Sequence, residues 1–180
     1  MPIHSKLILF AFFFFLGPAL SLATDVAPGQ STIQGDVSKK PNIVKIATGS
    51  ADHKTLVDLL VAADYVDFFA NPGPFTVFAP TDEAFKKLPE GTVEALKKPE
   101  NKAKLQNILE YHVFVGSKGG KGPNALSDGE TLNQANLDNV KIKVSGQNVT
   151  VNGAKVLATV SASNGWVHIV DTVLLPPEKK

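Results

Sequence analysis

The 180-residue chain contains no cysteine and no arginine, and it has one tryptophan, one methionine and two tyrosines. Without cysteine there are no disulfides, zinc–thiolate sites or thiol nucleophiles, so the fold rests on burial alone. Without arginine the chain lacks the bidentate fork that normally reads phosphate and guanine edges, which argues against a nucleic-acid partner. It also excludes an Arg-Gly-Asp motif. No G-x-S-x-G, phosphate-binding loop, G-x-G-x-x-G or H-E-x-x-H motif occurs, and no segment repeats. The sequence therefore points to no enzyme, no cofactor and no metal.

One long apolar run is present, at the start. Lys6 precedes Leu7–Leu16, with Phe12–Phe15 inside it, and Ser21-Leu22-Ala23 fits a small-residue cleavage site. The run is too short to span a bilayer, so residues 1–23 are expected to be a secretory signal. Without Lys6, 17 lysines face 17 acidic residues and the mature chain is formally neutral. Residues 24–41, rich in Gly, Pro, Ser, Asp and Lys, are expected to form a flexible leader, and 178–180 a charged tail. The C-terminus carries no apolar anchor signal, so a secreted product without a membrane anchor is expected, periplasmic or extracellular if the source is bacterial.

Helical spacing begins at Asn42, with Ile43, Ile46 and Ala47, and resumes at Leu56, Leu59, Leu60 and Ala63. Asn71-Pro72-Gly73-Pro74 breaks the pattern. Phe75–Phe78 reads as a short buried strand, and Thr81 caps a helix whose first turn holds Asp82 and Glu83. Pro80 and Phe85 sit at staple spacing. A short turn through Val93 and Leu96 precedes a longer helix that starts near Pro99 and carries Leu105, Ile108, Leu109 and His112 on one face. After a Gly-rich loop at 116–123, Val140/Ile142/Val144 and Val149/Val151 alternate about Ser145-Gly146-Gln147, which predicts a hairpin. Strands are expected over 154–160 and 166–175, joined through Asn164-Gly165. Helices followed by strands predict an α+β domain.

Gly73–Phe85, the Tyr111-His112 pair and the run Asn164–Pro177 together resemble, in order and spacing, the conserved blocks of the fasciclin domain family. The resemblance spans residues 42–177. It implies a β-wedge of two sheets packed with several N-terminal and central helices, found mostly in extracellular adhesion or matrix proteins. By resemblance, Tyr111 and His112 are candidate binding residues; relatives use that pair in adhesion, and it also suits a fold-locking role. The chain departs from the family at Thr159-Val160, where adhesive members carry Asp-Ile, which weakens the case for integrin-type recognition.

Other candidates come from residue chemistry. Trp166 could stack on a sugar ring, or pack within its strand. Asn148-Val149-Thr150 is the sole N-glycosylation sequon. Thr81, Asp82, His168 and Asp171 are expected to serve the fold, His168 with backbone groups or Asp171 as partner. His53 is expected to be solvated. The expected function is secreted, non-enzymatic binding of cell-surface or matrix protein or glycan, with weak self-association. The alternatives are a soluble small-ligand or glycan-binding module and, last, a hydrolase using Asp82 or another carboxylate.

Overall fold

A computed structural model of the chain describes residues 40–178 other than 121 and 123. The expected signal (1–23), nearly all of the expected leader and the last two residues lie outside that range. At its near end, the Pro41 carbonyl accepts the Ser163 N–H at 3.1 Å, so the segment just before the first helix is tied to the strands.

Among the described residues, six α-helices precede most of the strands. They are α1 (Ile43–Thr48), α2 (Lys54–Ala62), α3 (Val66–Ala70), α4 (Asp82–Lys86), α5 (Thr92–Leu96) and α6 (Lys102–Tyr111). The strands are β1 (Phe75–Pro80), β2 (Val113–Val115), β3 (Thr131–Asn133), β4 (Asn139–Ser145), β5 (Asn148–Val151), β6 (Ala154–Ala162) and β7 (Gly165–Val170). Their hydrogen-bonded order is β2-β1-β7-β6-β5-β4-β3. Among the described strands only β1 and β7 run parallel. The Ala135 N–H donates to the Val113 carbonyl at 2.7 Å, so the ladder nearly closes on itself.

The expected wedge is thus one seven-stranded ladder whose halves meet at β6. The lower half of β6 pairs with β5, and its upper half pairs with β7 beyond a register shift between Val156 and Ala158. Helices cover one face of the β2-β1-β7 half, burying Leu56, Leu59, Leu105, Leu109, Val77 and Val167. The β3-β4-β5 half covers the other face, where Phe78 and Val170 meet Val140, Ile142 and Val151. Every residue of β1 is buried as a result. A strand covered on both faces reads as a continuous apolar run, which is why Phe75–Phe78 shows no alternation.

Two elements went unread in the sequence. Helix α3 and strand β3 are too short to show periodicity. The last strand stops at Val170, because Asp171 turns its carboxylate back to the Lys155 N–H at 2.9 Å.

Candidate functional site

The residues singled out from the sequence fall into two groups: those that bind the fold together, and those that remain on its surface.

Tyr111 ends α6 and is buried; its hydroxyl donates to the Asn139 carbonyl at 3.0 Å and accepts from the Asn152 amide at 2.7 Å. His112 follows, also buried. Its Nδ1 lies 2.7 Å from the Ile108 carbonyl, which can only accept, and its Nε2 receives the Leu174 N–H at 3.0 Å. The ring is therefore neutral, with its proton on Nδ1. Burial pushes its pKa down to about 4, against a smaller opposing pull from the Ile108 carbonyl. The structure turns both side chains inward, so neither presents a contact surface.

His168 takes the opposite tautomer. Its Nε2 donates to the Lys118 carbonyl at 2.8 Å, Nδ1 accepts from the Thr159 hydroxyl at 2.9 Å, and the ring stacks on Phe78. Burial lowers its pKa. The partner is not Asp171, whose carboxylate serves the Lys155 N–H and the Thr172 hydroxyl. Burial acts to raise the Asp171 pKa, but those bonds together with Lys87 hold it below the usual range.

Thr81 caps α4, accepting the Ala84 N–H at 3.2 Å. Asp82 works at a distance. Its Oδ1 accepts the Thr55 N–H at 2.8 Å and so caps α2, whose own N-cap residue, His53, offers no side-chain acceptor. His53 is only 4% exposed, not solvated: its Nδ1 pairs with the Ser50 hydroxyl at 2.7 Å and the ring turns inward. Burial opposes ionisation of Asp82, yet hydrogen bonds from Thr55 and Lys54 lower its pKa overall. This carboxylate is committed to a helix terminus, not poised for hydrolysis. Asp82→Ala should cost about 1 kcal/mol, the usual worth of an N-cap, measured by urea unfolding. Loss of a hydrolytic activity at unchanged stability would contradict that role.

Trp166 is half-buried. A Cβ on Gly119 would fall 2.3 Å from indole Cδ2, and one on Gly120 2.8 Å from Cη2, so the loop backbone presses on the ring where a sugar would stack. Asn164, read only as a turn residue, is a buried hub. Its Oδ1 accepts the Ile43 N–H at 3.0 Å, and its amide donates to the Phe69 and Asn71 carbonyls, each at 2.8 Å. Only the Asn-Gly pair hinted at it, since the partners lie about a hundred residues away.

Two cavities bear on ligand binding. One of about 60 Å³ lies under α1, lined by Ile43, Ile46, Leu56, Leu60, Val77 and Val113. It is far below the ~300–1,000 Å³ of ordinary small-molecule sites. A groove of about 700 Å³ runs between α5, α6 and residues 175–178, with Leu96, Ile108 and Pro176 on its walls and Lys104 and Asn107 at its edge. Among the described residues, no three His, Asp or Glu converge to hold a metal.

The outer face is polar and open over β4, β5 and the start of β6, while Leu157 is exposed farther along β6. Lys141, Lys143, Ser145, Asn148 and Lys155 are exposed on the polar part, while Val140, Ile142, Val151 and Ala154 face the core.

The family model for the fasciclin domain matches residues 51–176. Protein sll1483 of Synechocystis sp. is 42% identical over 163 residues, covering 89% of this chain and 88% of the relative. Immunogenic protein MPT70 of Mycobacterium tuberculosis is 34% identical, covering 83% and 75%. Transforming growth factor-beta-induced protein ig-h3 of Sus scrofa is 37% identical, but the match covers 77% of this chain and only 20% of that longer protein. A solved FAS1 domain pair from the insect cell adhesion molecule fasciclin I aligns with 68% of this chain and 43% of its own, at 22% identity and a TM-score of 0.44.

Proposed function

The chain belongs to the fasciclin domain family, and from that premise we propose that it is a secreted, non-enzymatic adhesion or matrix-binding domain. The observation that carries this reading is how its polar groups are divided. Tyr111, His112, His168, Asp82, Asn164 and Asp171 are bound into the fold. The outer face of β4–β6 keeps its polar side chains for solvent or a partner. The names of the relatives point the same way: one is a mycobacterial cell surface glycolipoprotein, 39% identical over 110 residues.

A strand face of lysines and small polar side chains makes weak contacts singly, and it gains strength from a multivalent partner or from self-association. Purified protein should therefore adhere to cells or extracellular matrix at high micromolar concentration without added metal or cofactor. Absence of binding to cells, matrix proteins, glycans or itself would refute the reading. The second reading, a small-ligand module, has the groove between α5 and α6 in its favour. It requires a ligand that co-purifies with the protein and raises its Tm.

A further inference from the structure

We propose that the outer face of β4–β6 binds an anionic polysaccharide. The inference rests on the adhesion reading and names its partner. In a chain with 18 lysines and 17 acids, strands β3–β6 hold three lysines and not one Asp or Glu. All three lysines point outward. Lys143 pairs in register with Thr150, and Thr150 with Lys155, so the two lysines flank one threonine across three strands. Two inter-strand steps separate them by about 10 Å, and Lys141 stands about 7 Å from Lys143 along the same strand.

Among the described residues none of the three lysines forms an ion pair. The carboxylates at the rim bond backbone N–H groups or another lysine, not these three ammonium groups. Asp128 accepts the Val144 N–H, Asp171 accepts the Lys155 N–H, and Glu130 pairs with Lys118. What remains is a triangle of lysines, with Thr150 between Lys143 and Lys155 and with Ser145 and Asn148 beside Lys143 to supply hydrogen-bonding groups.

The composition of the face selects the class of anion. Strands β3–β6 contain no aromatic residue, so bases have nothing to stack on. Arg, Trp and Tyr, the usual anchors of a protein interface, are missing from these strands too. A polymer with repeating carboxylates or sulfates and many hydroxyls matches spaced point charges set among small polar groups. Asn148 stands on the same face, opposite Ser145, so a glycan on its sequon would rise over the lysines and weaken binding.

The test is retention of the full chain on an immobilised, heparin-type sulfated polysaccharide across a salt gradient. Parallel runs use single-stranded DNA and phosphatidylserine vesicles. Because the full chain carries a formal net charge of only +1, bulk charge does not predict retention. The proposal expects salt-sensitive retention that falls roughly tenfold in the triple variant Lys141→Gln/Lys143→Gln/Lys155→Gln. A control triple at exposed lysines elsewhere, Lys45→Gln/Lys54→Gln/Lys98→Gln, should be retained like the unmodified protein. Circular dichroism checks that both triples fold. Equal loss in both, retention unchanged in the first, or tighter binding to DNA or vesicles would each overturn the proposal. Protein that adheres to cells but is not retained on the polysaccharide overturns this inference alone; protein that does neither overturns the adhesion reading as well.

Discussion

Asn164→Ala should destabilise the domain by about 4 kcal/mol, with a fall in Tm of roughly 10–15 °C. The substitution strips three backbone groups of their partner at once: the Ile43 N–H that opens α1, and the Phe69 and Asn71 carbonyls that close α3. Each buried group left unsatisfied costs about 1–3 kcal/mol. Asn164→Asp should be no rescue, because a carboxylate cannot donate to the two carbonyls. The neighbour is equally constrained. Gly165 has φ of 150°, and a Cβ there would lie 1.8 Å from the Phe75 carbonyl oxygen. Gly73 approaches from the other side, where a Cβ would come within 2.3 Å of the Asn164 carbonyl oxygen. Gly165→Ala therefore has to displace the backbone of β1, and it should unfold the domain more severely than the asparagine change. Urea unfolding of both variants checks this. A loss under 1 kcal/mol for Asn164→Ala would show that the hub does not hold the helices to the strands.

The second large effect is on acid stability. His112 titrates near 6.5 when unfolded and at about 4 when folded, because burial excludes the charged form. The unfolded chain thus binds this proton first as pH falls. The stability contributed by the neutral ring is fully present above pH 6.5 and is lost as pH drops toward 4. One pKa unit corresponds to 1.36 kcal/mol, so this residue alone accounts for about 3 kcal/mol between those limits. The pKa values of His168 and His53 are lowered by burial as well, so their contributions have the same sign. Asp82 and Asp171, also lowered, act in the same direction but only below the ordinary carboxylate range, so the histidine window stands apart. Unfolding free energies measured from pH 7 to pH 4 should fall steeply. His112→Gln should be less stable at pH 7 but show a shallower slope. An unchanged slope would mean that this ring is not the titrating group.

Much of this architecture was legible because it is local. Thr81 at a helix start, the i, i+3, i+4 face of α6 and the alternation about Gly146 each show within a few residues. The inward tilt of His112 also followed from its place on the apolar face of α6. What escaped depends on partners distant in the chain. Asp82 was read as serving its own helix, yet it caps α2, twenty-seven residues earlier, at Thr55. His53 looks solvated beside Asp52, but Ser50 and the packing of α2 draw it in. Trp166 has no sequence neighbour that explains its covering; the glycines that press on it come from a loop more than forty residues away. The lysine triangle was equally hidden. Lys143 and Lys155 become neighbours only through the register that sets Thr150 between them.

That division of labour yields a direct test of the central claim, that the family's Tyr-His pair builds the scaffold while the outer strand face meets the partner. The measurement is cell and polysaccharide binding, below the Tm of each variant, by His112→Gln and by Lys141→Gln/Lys143→Gln/Lys155→Gln, alongside their Tm values. The expected result is a double dissociation: His112→Gln melts earlier yet still binds, whereas the lysine triple keeps its Tm and loses binding. Folded His112→Gln protein that no longer binds, together with a lysine triple that binds normally, would contradict it.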